Sequence, residues 1–205
     1  MGQITTGIRA LLNDPSIYVA SQYLFGRGKG TPALVKDFVR PRSGDKVLDI
    51  GCGPAEIMDY LPGVSYWGFD PDPVYINRAK RAYGNAGHFF CKELSGEDLN
   101  KLPAFDVVLA IGVLHHLDDK TAGELLVLVH QALKPGGRLI TSDPCFEAGQ
   151  NPIARCFISW DRGQNVRTKE GYLKLVFGIF PRHRFEVRHQ AWLPYTFCFM
   201  ECIRV

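Results

Sequence analysis

Apolar residues occur along this chain in short runs, separated by amphipathic segments and by turns rich in glycine and proline. The runs are rich in branched and aromatic residues and predict buried strands at residues 46–50, 66–70, 88–91, 105–110 and 137–142. Between most of them, apolar residues recur at helical spacing and predict helices at residues 54–60, 73–83 and 121–133. Because strands and helices alternate, we expect a parallel sheet with right-handed crossovers and helices on both faces.

The two ends of the chain depart from this alternation. Towards the N-terminus the pattern predicts helices at residues 6–12 and 16–24, a loop at 26–30, and a helix from Thr31-Pro32 to residue 40. Towards the C-terminus, strands at residues 184–190 and 195–204 are separated by a turn that contains proline. The stretch 143–178 lies between the fifth strand and this pair. We expect one domain over residues 1–205, with a helical cap at 1–44 and a variable insertion at 143–178.

The most informative segment is the turn after the first strand, which reads Gly51-Cys52-Gly53-Pro54-Ala55-Glu56. Such a turn lets the backbone approach a nucleoside closely, and Asp70 closes the second strand, where it can accept hydrogen bonds from ribose hydroxyls. A dinucleotide-binding turn carries a third glycine where this chain has Glu56. Because a carboxylate there would repel a pyrophosphate, the sequence disfavours NAD and FAD and favours a cofactor without phosphates.

Four motifs follow one another between residues 45 and 141. They are the turn Asp49-Ile50-Gly51-Cys52-Gly53, the acid Asp70, the strand at 105–110 that runs into Gly112-Val113-Leu114-His115-His116, and Leu133-Lys134-Pro135-Gly136-Gly137-Arg138-Leu139. Together they resemble a class I S-adenosylmethionine-dependent methyltransferase of the small-molecule type. The resemblance implies S-adenosylmethionine as the cofactor. It also implies an α/β fold: a Rossmann-like three-layer αβα sandwich whose seven-stranded, mostly parallel sheet ends in a C-terminal antiparallel hairpin.

The resemblance further implies which residues bind the cofactor. Asp49 would attract the ammonium of its amino-acid part, although the same carboxylate could instead cap the following helix. Asp70 would hold the ribose, and Glu93 would lie near the adenine amino group, where relatives commonly carry an aspartate. The other expected cofactor contacts are Gly51, Cys52, Gly53, Pro71, Leu94 and Ile111. For Pro71 and Leu94, packing on the adenine and ordinary loop packing both stay open.

Methyl transfer needs an aligned acceptor and, for an alcohol or an ammonium, a base that removes a proton. His115 and His116 follow the fourth strand, at the sheet edge where parallel α/β proteins bind ligands. The candidate catalytic residues are therefore His116, His115 and Asp143, with a purely structural role for both histidines as the alternative. We expect no metal site, because the residues at the positions of metal-binding acids in metal-dependent relatives are Ile111-Gly112 and Asp143-Pro144.

The methyl acceptor is expected under the segments 1–44 and 143–178, where polar groups flank aromatic residues. The expected acceptor-binding residues are Tyr23, Arg27, Arg155 and Arg162, and further candidates are Tyr18, Trp160, Asn165, Arg167 and Tyr172. This composition favours a polar small molecule, hydroxylated or anionic, that is methylated at oxygen. RNA or protein methylation and a noncatalytic S-adenosylmethionine-binding module are the alternatives.

The composition of the chain indicates which partners and which cellular compartment to expect. The 205 residues carry a net charge of only +3 and no concentrated basic tail, which speaks against a nucleic-acid partner. No apolar stretch is long enough to span a bilayer, and no signal peptide is evident, so we expect no membrane partner. Six scattered cysteines lack paired metal spacing and predict free thiols in a reducing, cytoplasmic compartment. A monomer or a homodimer is expected.

Overall fold

The structure, a computed structural model, describes residues 27–159, 163–190 and 195–205. The helices predicted at 6–12 and 16–24 lie outside the described residues. So do four of the acceptor candidates, namely Tyr18, Tyr23, Trp160 and Arg162.

Strands and helices alternate along the described chain as the sequence predicts. The helices are α1 (Arg27–Leu34), α2 (Pro73–Tyr83), α3 (Gly96–Leu99), α4 (Asp119–Ala132), α5 (Pro152–Ser159) and α6 (Lys169–Phe177). The strands are β1 (Lys46–Ile50), β2 (Ser65–Phe69), β3 (His88–Phe90), β4 (Phe105–Ile111), β5 (Leu133–Phe146), β6 (Arg167–Thr168), β7 (Arg182–Gln190) and β8 (Tyr195–Ile203). A π-helical turn at Val35–Val39 and short 3₁₀ turns at Glu56–Tyr60, Gly84–Ala86 and Leu114–His116 complete the secondary structure.

The sheet is parallel through its first five strands and ends in an antiparallel pair. Its order is β3-β2-β1-β4-β5-β8-β7, and the short β6 pairs with the far end of β5. The predicted C-terminal hairpin is confirmed, since β8 runs antiparallel to both β5 and β7. The strand order reverses between β1 and β4, and a crevice therefore opens at the carboxyl ends of these two strands.

Apolar side chains form two clusters of buried residues, which correspond to the two faces of the sheet. One cluster joins the strands to α4 and α6 through residues such as Leu126 and Tyr172. The other joins them to α2 and the π-helical turn through residues such as Ile76 and Phe38. Helices on both faces of one sheet make the three-layer αβα arrangement that the sequence predicts.

Three elements differ from the sequence-based expectation. The helix predicted at 54–60 is a short 3₁₀ turn at Glu56–Tyr60, because Ala55 has a φ of 59° and the chain is still turning there. The loop predicted at 26–30 is helical from Arg27, so Thr31-Pro32 does not open a helix: Pro32 lies inside α1. Strand β5 continues to Phe146, and Asp143 therefore belongs to the strand rather than to the insertion after it.

The described part of the chain contains no helix of the length and apolarity that crossing a membrane requires.

Candidate active site at the carboxyl edge of the sheet

The turn after β1 winds tightly because three of its residues have positive φ angles. These angles are 68° at Gly51, 54° at Gly53 and 59° at Ala55. The amides of Gly51 and Cys52 both donate to the carbonyl of Phe69, at 2.8 and 3.1 Å, and this holds the turn against the end of β2. A Cβ on Gly51 would lie 2.8 Å from Val113 Cγ2, so only glycine fits between this turn and the segment after β4.

Asp70 lies directly beyond β2 and connects the second strand to this turn. Its Oδ2 accepts the amide of Gly53 at 2.9 Å, and its Oδ1 accepts the amide of Asp72 at 2.8 Å. Burial raises the pKa of the Asp70 carboxyl, while the two amides act in the opposite direction. Each carboxylate oxygen has a further lone pair, so Asp70 is held in one orientation and can still accept two more donors.

Asp49 is almost completely buried near the end of β1 and has a partner that the sequence does not reveal. The hydroxyl of Tyr66, on β2, donates to Asp49 Oδ2 over 2.6 Å. Burial and the Asp49 carboxylate together raise the pKa of Tyr66, which therefore stays a donor. This contact fixes the carboxylate beside the glycine turn.

Glu56, at the position of the missing third glycine, forms an ion pair with Arg78 of α2 at 3.2 Å. The ion pair reduces the repulsion that the sequence argument assigned to this carboxylate. The structure supplies a second obstacle to a pyrophosphate, because the turn leads into a five-residue 3₁₀ helix and not into the amino end of an α-helix.

Cys52 and Ile111, the two apolar residues expected to contact the cofactor, belong to the turn after β1 and to the end of β4. The Cys52 thiol is buried under the turn, where a Cβ on Gly68 would approach its sulfur to 2.8 Å. Burial raises the pKa of this thiol, as do the carboxylates of Asp49 and Asp70, so Cys52 stays protonated and acts as a small apolar group. Ile111 ends β4, is half-buried, and packs against the second cluster of apolar residues.

The three residues expected near the adenine are more exposed. Pro71 and Glu93 are exposed to solvent, and the carbonyl of Pro71 lies 3.7 Å from the sulfur of Cys91. Leu94 is half-buried and packs against the first cluster of apolar residues. All three follow β2 or β3 at the carboxyl edge, on the Asp70 side of the crevice.

The two histidines form a 3₁₀ turn after β4, and a buried carboxylate holds the first of them. His115 Nδ1 lies 2.8 Å from Asp143 Oδ1, and the backbone amide of His115 donates to the same oxygen at 3.2 Å. The rings of His115 and His116 are in contact, with centroids 4.0 Å apart. His115 is buried while His116 is half-buried, so His116 is the more accessible of the two.

Gly163 closes over His115 from the insertion. A Cβ on Gly163 would overlap the imidazole ring, and the amide of Asn165 donates to the carbonyl of His115 at 3.0 Å. The segment that follows the undescribed residues 160–162 is therefore packed onto the histidine turn.

Arg167, on β6, clamps the histidine turn to the start of α4. Its guanidinium donates to the carbonyls of Leu114 and Leu117, at 2.8 and 2.7 Å, and to Asp119 Oδ1 at 2.8 Å. The sequence suggested Arg167 only as an acceptor contact. The structure shows that its donors are occupied by the protein, and no sequence signal marks the carbonyls that it binds.

Two other acceptor candidates are also structural. Tyr172 is fully buried, and its hydroxyl donates to the carbonyl of Pro144 at 2.9 Å. Asn165 supports His115 through its backbone, as described above.

Arg155 and Arg27 remain as candidates within the described chain. Arg155 is exposed on α5, with its guanidinium 5.2 Å from the centroid of the Phe146 ring. Arg27 is the first residue of α1, and the structure describes only its backbone.

Comparison with known proteins points to the same family as the sequence motifs. Residues 48–139, which contain the glycine turn, Asp70 and both histidines, match the family model of a methyltransferase domain. Residues 48–139, a little under half of the chain, are therefore similar to a methyltransferase domain. This confirms the resemblance that the four sequence motifs indicate.

Solved structures of methyltransferases share the fold of this domain. Phosphoethanolamine N-methyltransferase 2 of Haemonchus contortus, in complex with S-adenosyl-L-methionine, superposes with a TM-score of 0.70 at 15% identity over 97% of this chain and 60% of its own. A TehB-like S-adenosylmethionine-dependent methyltransferase of Corynebacterium glutamicum gives 0.62 at 21% identity, over 95% of this chain and 98% of its own.

Curated relatives match the domain over a shorter stretch. A tRNA U34 carboxymethyltransferase of Shewanella frigidimarina is 30% identical over 125 residues, which are 58% of this chain and 37% of the relative. The chain thus spans little more than a third of the length of that protein. The names of these relatives include tRNA. They therefore do not support the expectation that this chain has no nucleic-acid partner.

Proposed function

We propose that this chain uses S-adenosylmethionine to methylate a polar small molecule at oxygen, and that residues 1–205 act as one domain in doing so. The observation that carries the proposal is the pairing of two features at one sheet edge. A glycine cradle with a buried, oriented carboxylate lies at the ends of β1 and β2, and a histidine turn held by a second buried carboxylate lies at the end of β4.

The cradle fits a nucleoside better than a dinucleotide. Asp70 offers two lone pairs, which matches the two hydroxyls of a ribose. Glu56 and the short 3₁₀ turn behind it provide no anion site for a pyrophosphate. We assign the ribose to Asp70, the ammonium of the amino-acid part to Asp49, and the remaining surface of the cofactor to Gly51, Cys52, Gly53 and Ile111.

On the same basis, Pro71, Glu93 and Leu94 line the adenine end. Pro71 and Glu93 are exposed, so we expect them to contact the adenine ring rather than to enclose it. The bound cofactor supplies a methyl group that is already activated on a sulfonium. The residues of the protein therefore need to align an acceptor, exclude water and accept a proton.

His116 is the group that we propose as the proton acceptor. It is half-buried at the crevice, whereas His115 is buried and bound to Asp143, so the pair His115–Asp143 positions the ring of its neighbour. Alignment supplies roughly 7–11 kcal/mol, and a positioned base contributes about 10²–10⁴-fold. Loss of the base should therefore slow the reaction without abolishing it.

The acceptor is proposed to lie between the histidine turn and the segments on either side, at 1–44 and 143–178. Arg155 is exposed on α5 and can meet an anionic group, and Arg27, Tyr23 and Arg162 are proposed to complete the acceptor site. A hydroxylated or anionic small molecule suits these side chains.

A second candidate function is favoured by one finding. The curated relatives that match the methyltransferase domain are named tRNA U34 carboxymethyltransferases, and an RNA acceptor would be consistent with that name.

The test is transfer of a labelled methyl group from S-adenosylmethionine into separate fractions of small metabolites, RNA and protein. We expect label in the metabolite fraction. Label in RNA alone would replace the first function with the second, and binding of the cofactor without transfer to any fraction would identify a noncatalytic module.

The role of His116 is tested on the acceptor found in that assay. His116→Asn should lower kcat by about 10²–10⁴-fold and leave the Kd for S-adenosylmethionine unchanged, because the base acts only in the transfer step. His130→Asn, on α4, is the matched control and should keep full activity. An unchanged kcat in His116→Asn would remove the base from the proposal.

A further inference from the structure

A second polar cleft lies at the opposite edge of the sheet from the methyltransferase site. Its volume is about 680 Å³. The charged residues that line it are five arginines and one glutamate, namely Arg40, Arg42, Arg138, Arg182, Arg184 and Glu201, beside Pro181, His183 and Ile203. We call this feature the arginine cleft.

Three elements bring these arginines together at the amino edge of the parallel strands. Arg138 lies in the amino-terminal half of β5 and pairs with Ile203 at the end of β8. Arg182, at the start of β7, pairs with Ile203 from the other side. Arg40 and Arg42 lie just ahead of β1. The crevice that contains Asp70 and His115 opens at the other ends of the same strands, so the arginine cleft is a separate site.

The positive charge of the arginine cleft is only partly balanced. The carboxylate of Glu201 is buried between Arg40 and Arg138 and forms an ion pair with each of them. Arg184 forms an ion pair with Glu186. Arg42 and Arg182 are exposed, and neither has an ion-pair partner among the described residues.

Contacts to the backbone and to an aromatic ring hold part of the arginine cleft in place. Arg138 donates to the carbonyls of Phe38 and Val39, at 2.8 and 2.7 Å. The guanidinium of Arg184 lies 5.0 Å from the centroid of the Phe38 ring. Because Arg138 and Arg184 are fixed, they keep positive charge beside the two arginines that have no ion-pair partner in the described part of the chain.

The clustering of these five arginines is not expected of a surface that contacts only water. Like charges on an ordinary surface are spread apart, since bringing them together costs electrostatic energy that only a counter-charge returns. Guanidinium groups match the oxygens of phosphate by paired hydrogen bonds, and one phosphate presents enough acceptors for the two unpaired arginines.

We propose that the arginine cleft is a binding site for phosphate groups. The phosphate belongs either to a free phosphorylated compound or to the backbone of an RNA. The proposal does not depend on the methyl-transfer function, since the cleft shares no residue with the site at the carboxyl edge.

The test is to titrate the protein with pyrophosphate, and separately with a single-stranded RNA of about 16 nucleotides, at low salt of about 50 mM. The variant is the pair Arg42→Gln and Arg182→Gln, which removes the two unpaired cations. The matched control is the pair Lys80→Gln and Arg81→Gln, which removes the same charge from the exposed last turn of α2. Circular dichroism and binding of S-adenosylmethionine confirm that both variants are folded.

We expect the cleft variant to weaken binding of at least one of the two probes by about tenfold or more and the control variant to leave it near the parental value. Pyrophosphate binding that is lost in the cleft variant assigns a free phosphate compound. Binding of RNA alone, with a salt slope that falls by about 1.4 in the cleft variant, assigns the backbone of an RNA. If neither probe binds, or if both variants weaken binding equally, the proposal is wrong.

Discussion

At the scale of single residues, Asp70 decides how the crevice can bind a ligand. Its two oxygens bridge the amides of Gly53 and Asp72, so its orientation is set before any ligand arrives. A preoriented carboxylate binds hydroxyls more strongly than one that must be ordered on binding. Its position after β2 could be predicted from the sequence, because the apolar run of the strand ends at that residue.

We predict that Asp70→Asn weakens binding of S-adenosylmethionine at least about tenfold, because the amide loses the charge and one acceptor. Isothermal titration calorimetry measures the Kd. The control is Asp72→Asn, since Asp72 caps α2 through the amide of Val74 and asparagine caps equally well. Equal affinities of Asp70→Asn and the parent protein would show that Asp70 does not bind the ribose.

The same carboxylate predicts the pH dependence of cofactor binding. Burial raises the pKa of Asp70, so this carboxyl takes up its proton at a higher pH than the usual value of about 3.9. In the proposed site the ionised form accepts from the ribose, so the affinity for S-adenosylmethionine should fall as the pH drops through that raised pKa. Asp70→Asn should lack this acid-side loss in the same titrations.

Other residue roles could not be predicted from the sequence, because they depend on partners that are far apart in the chain. Asp49 is bound to Tyr66, and Glu56 is paired with Arg78. His115 and Asp143 are separated by 28 positions and meet only because β4 and β5 are neighbours in the sheet. Local motifs identify these residues as polar groups near a ligand, but the fold determines which of them contact each other.

At the scale of elements, the glycine turn shows how backbone conformation overrides a helical pattern. Residues 54–60 have the composition of a first helical turn, yet the positive φ of Ala55 delays the 3₁₀ turn until Glu56. The bounds of α2 and β1 agree with the sequence-based prediction. Pro73 marks the start of α2, and the turn that begins at Gly51 marks the end of β1.

The histidine turn is an element whose shape depends on Arg167. We predict that Arg167→Gln lowers the free energy of unfolding by about 2 kcal/mol, since the carbonyls of Leu114 and Leu117 lose a charged donor. It should also lower kcat more than it raises the Kd for S-adenosylmethionine, because the turn carries His116 and not the cofactor cradle.

Urea denaturation and steady-state kinetics on the same preparation separate these two effects of Arg167→Gln. Arg81→Gln, at the exposed end of α2, is the control for loss of one charge and should change neither quantity. An unchanged kcat in the Arg167 variant would show that the clamp is structural only.

At the scale of the whole molecule, the sheet separates two polar regions. The carboxyl edge carries the glycine turn, Asp70 and the histidine turn, where we propose that the cofactor binds, and the amino edge carries the arginine cleft. The parallel order of the first five strands could be predicted from the alternation of elements, and the family from four motifs in series. The identity of the acceptor could not be predicted, because the segments 1–44 and 143–178, under which we expect it to bind, carry no motif that names one.

The central claim is that the crevice beside Gly51 binds S-adenosylmethionine and not a dinucleotide. Isothermal titration calorimetry with each compound on the same protein tests it most directly. We expect saturable heat with S-adenosylmethionine at a Kd of about 100 μM or tighter, weakened in Asp70→Asn, and no heat with NAD at about 1 mM. Saturable binding of NAD, with no heat from S-adenosylmethionine at millimolar concentration, would contradict the account.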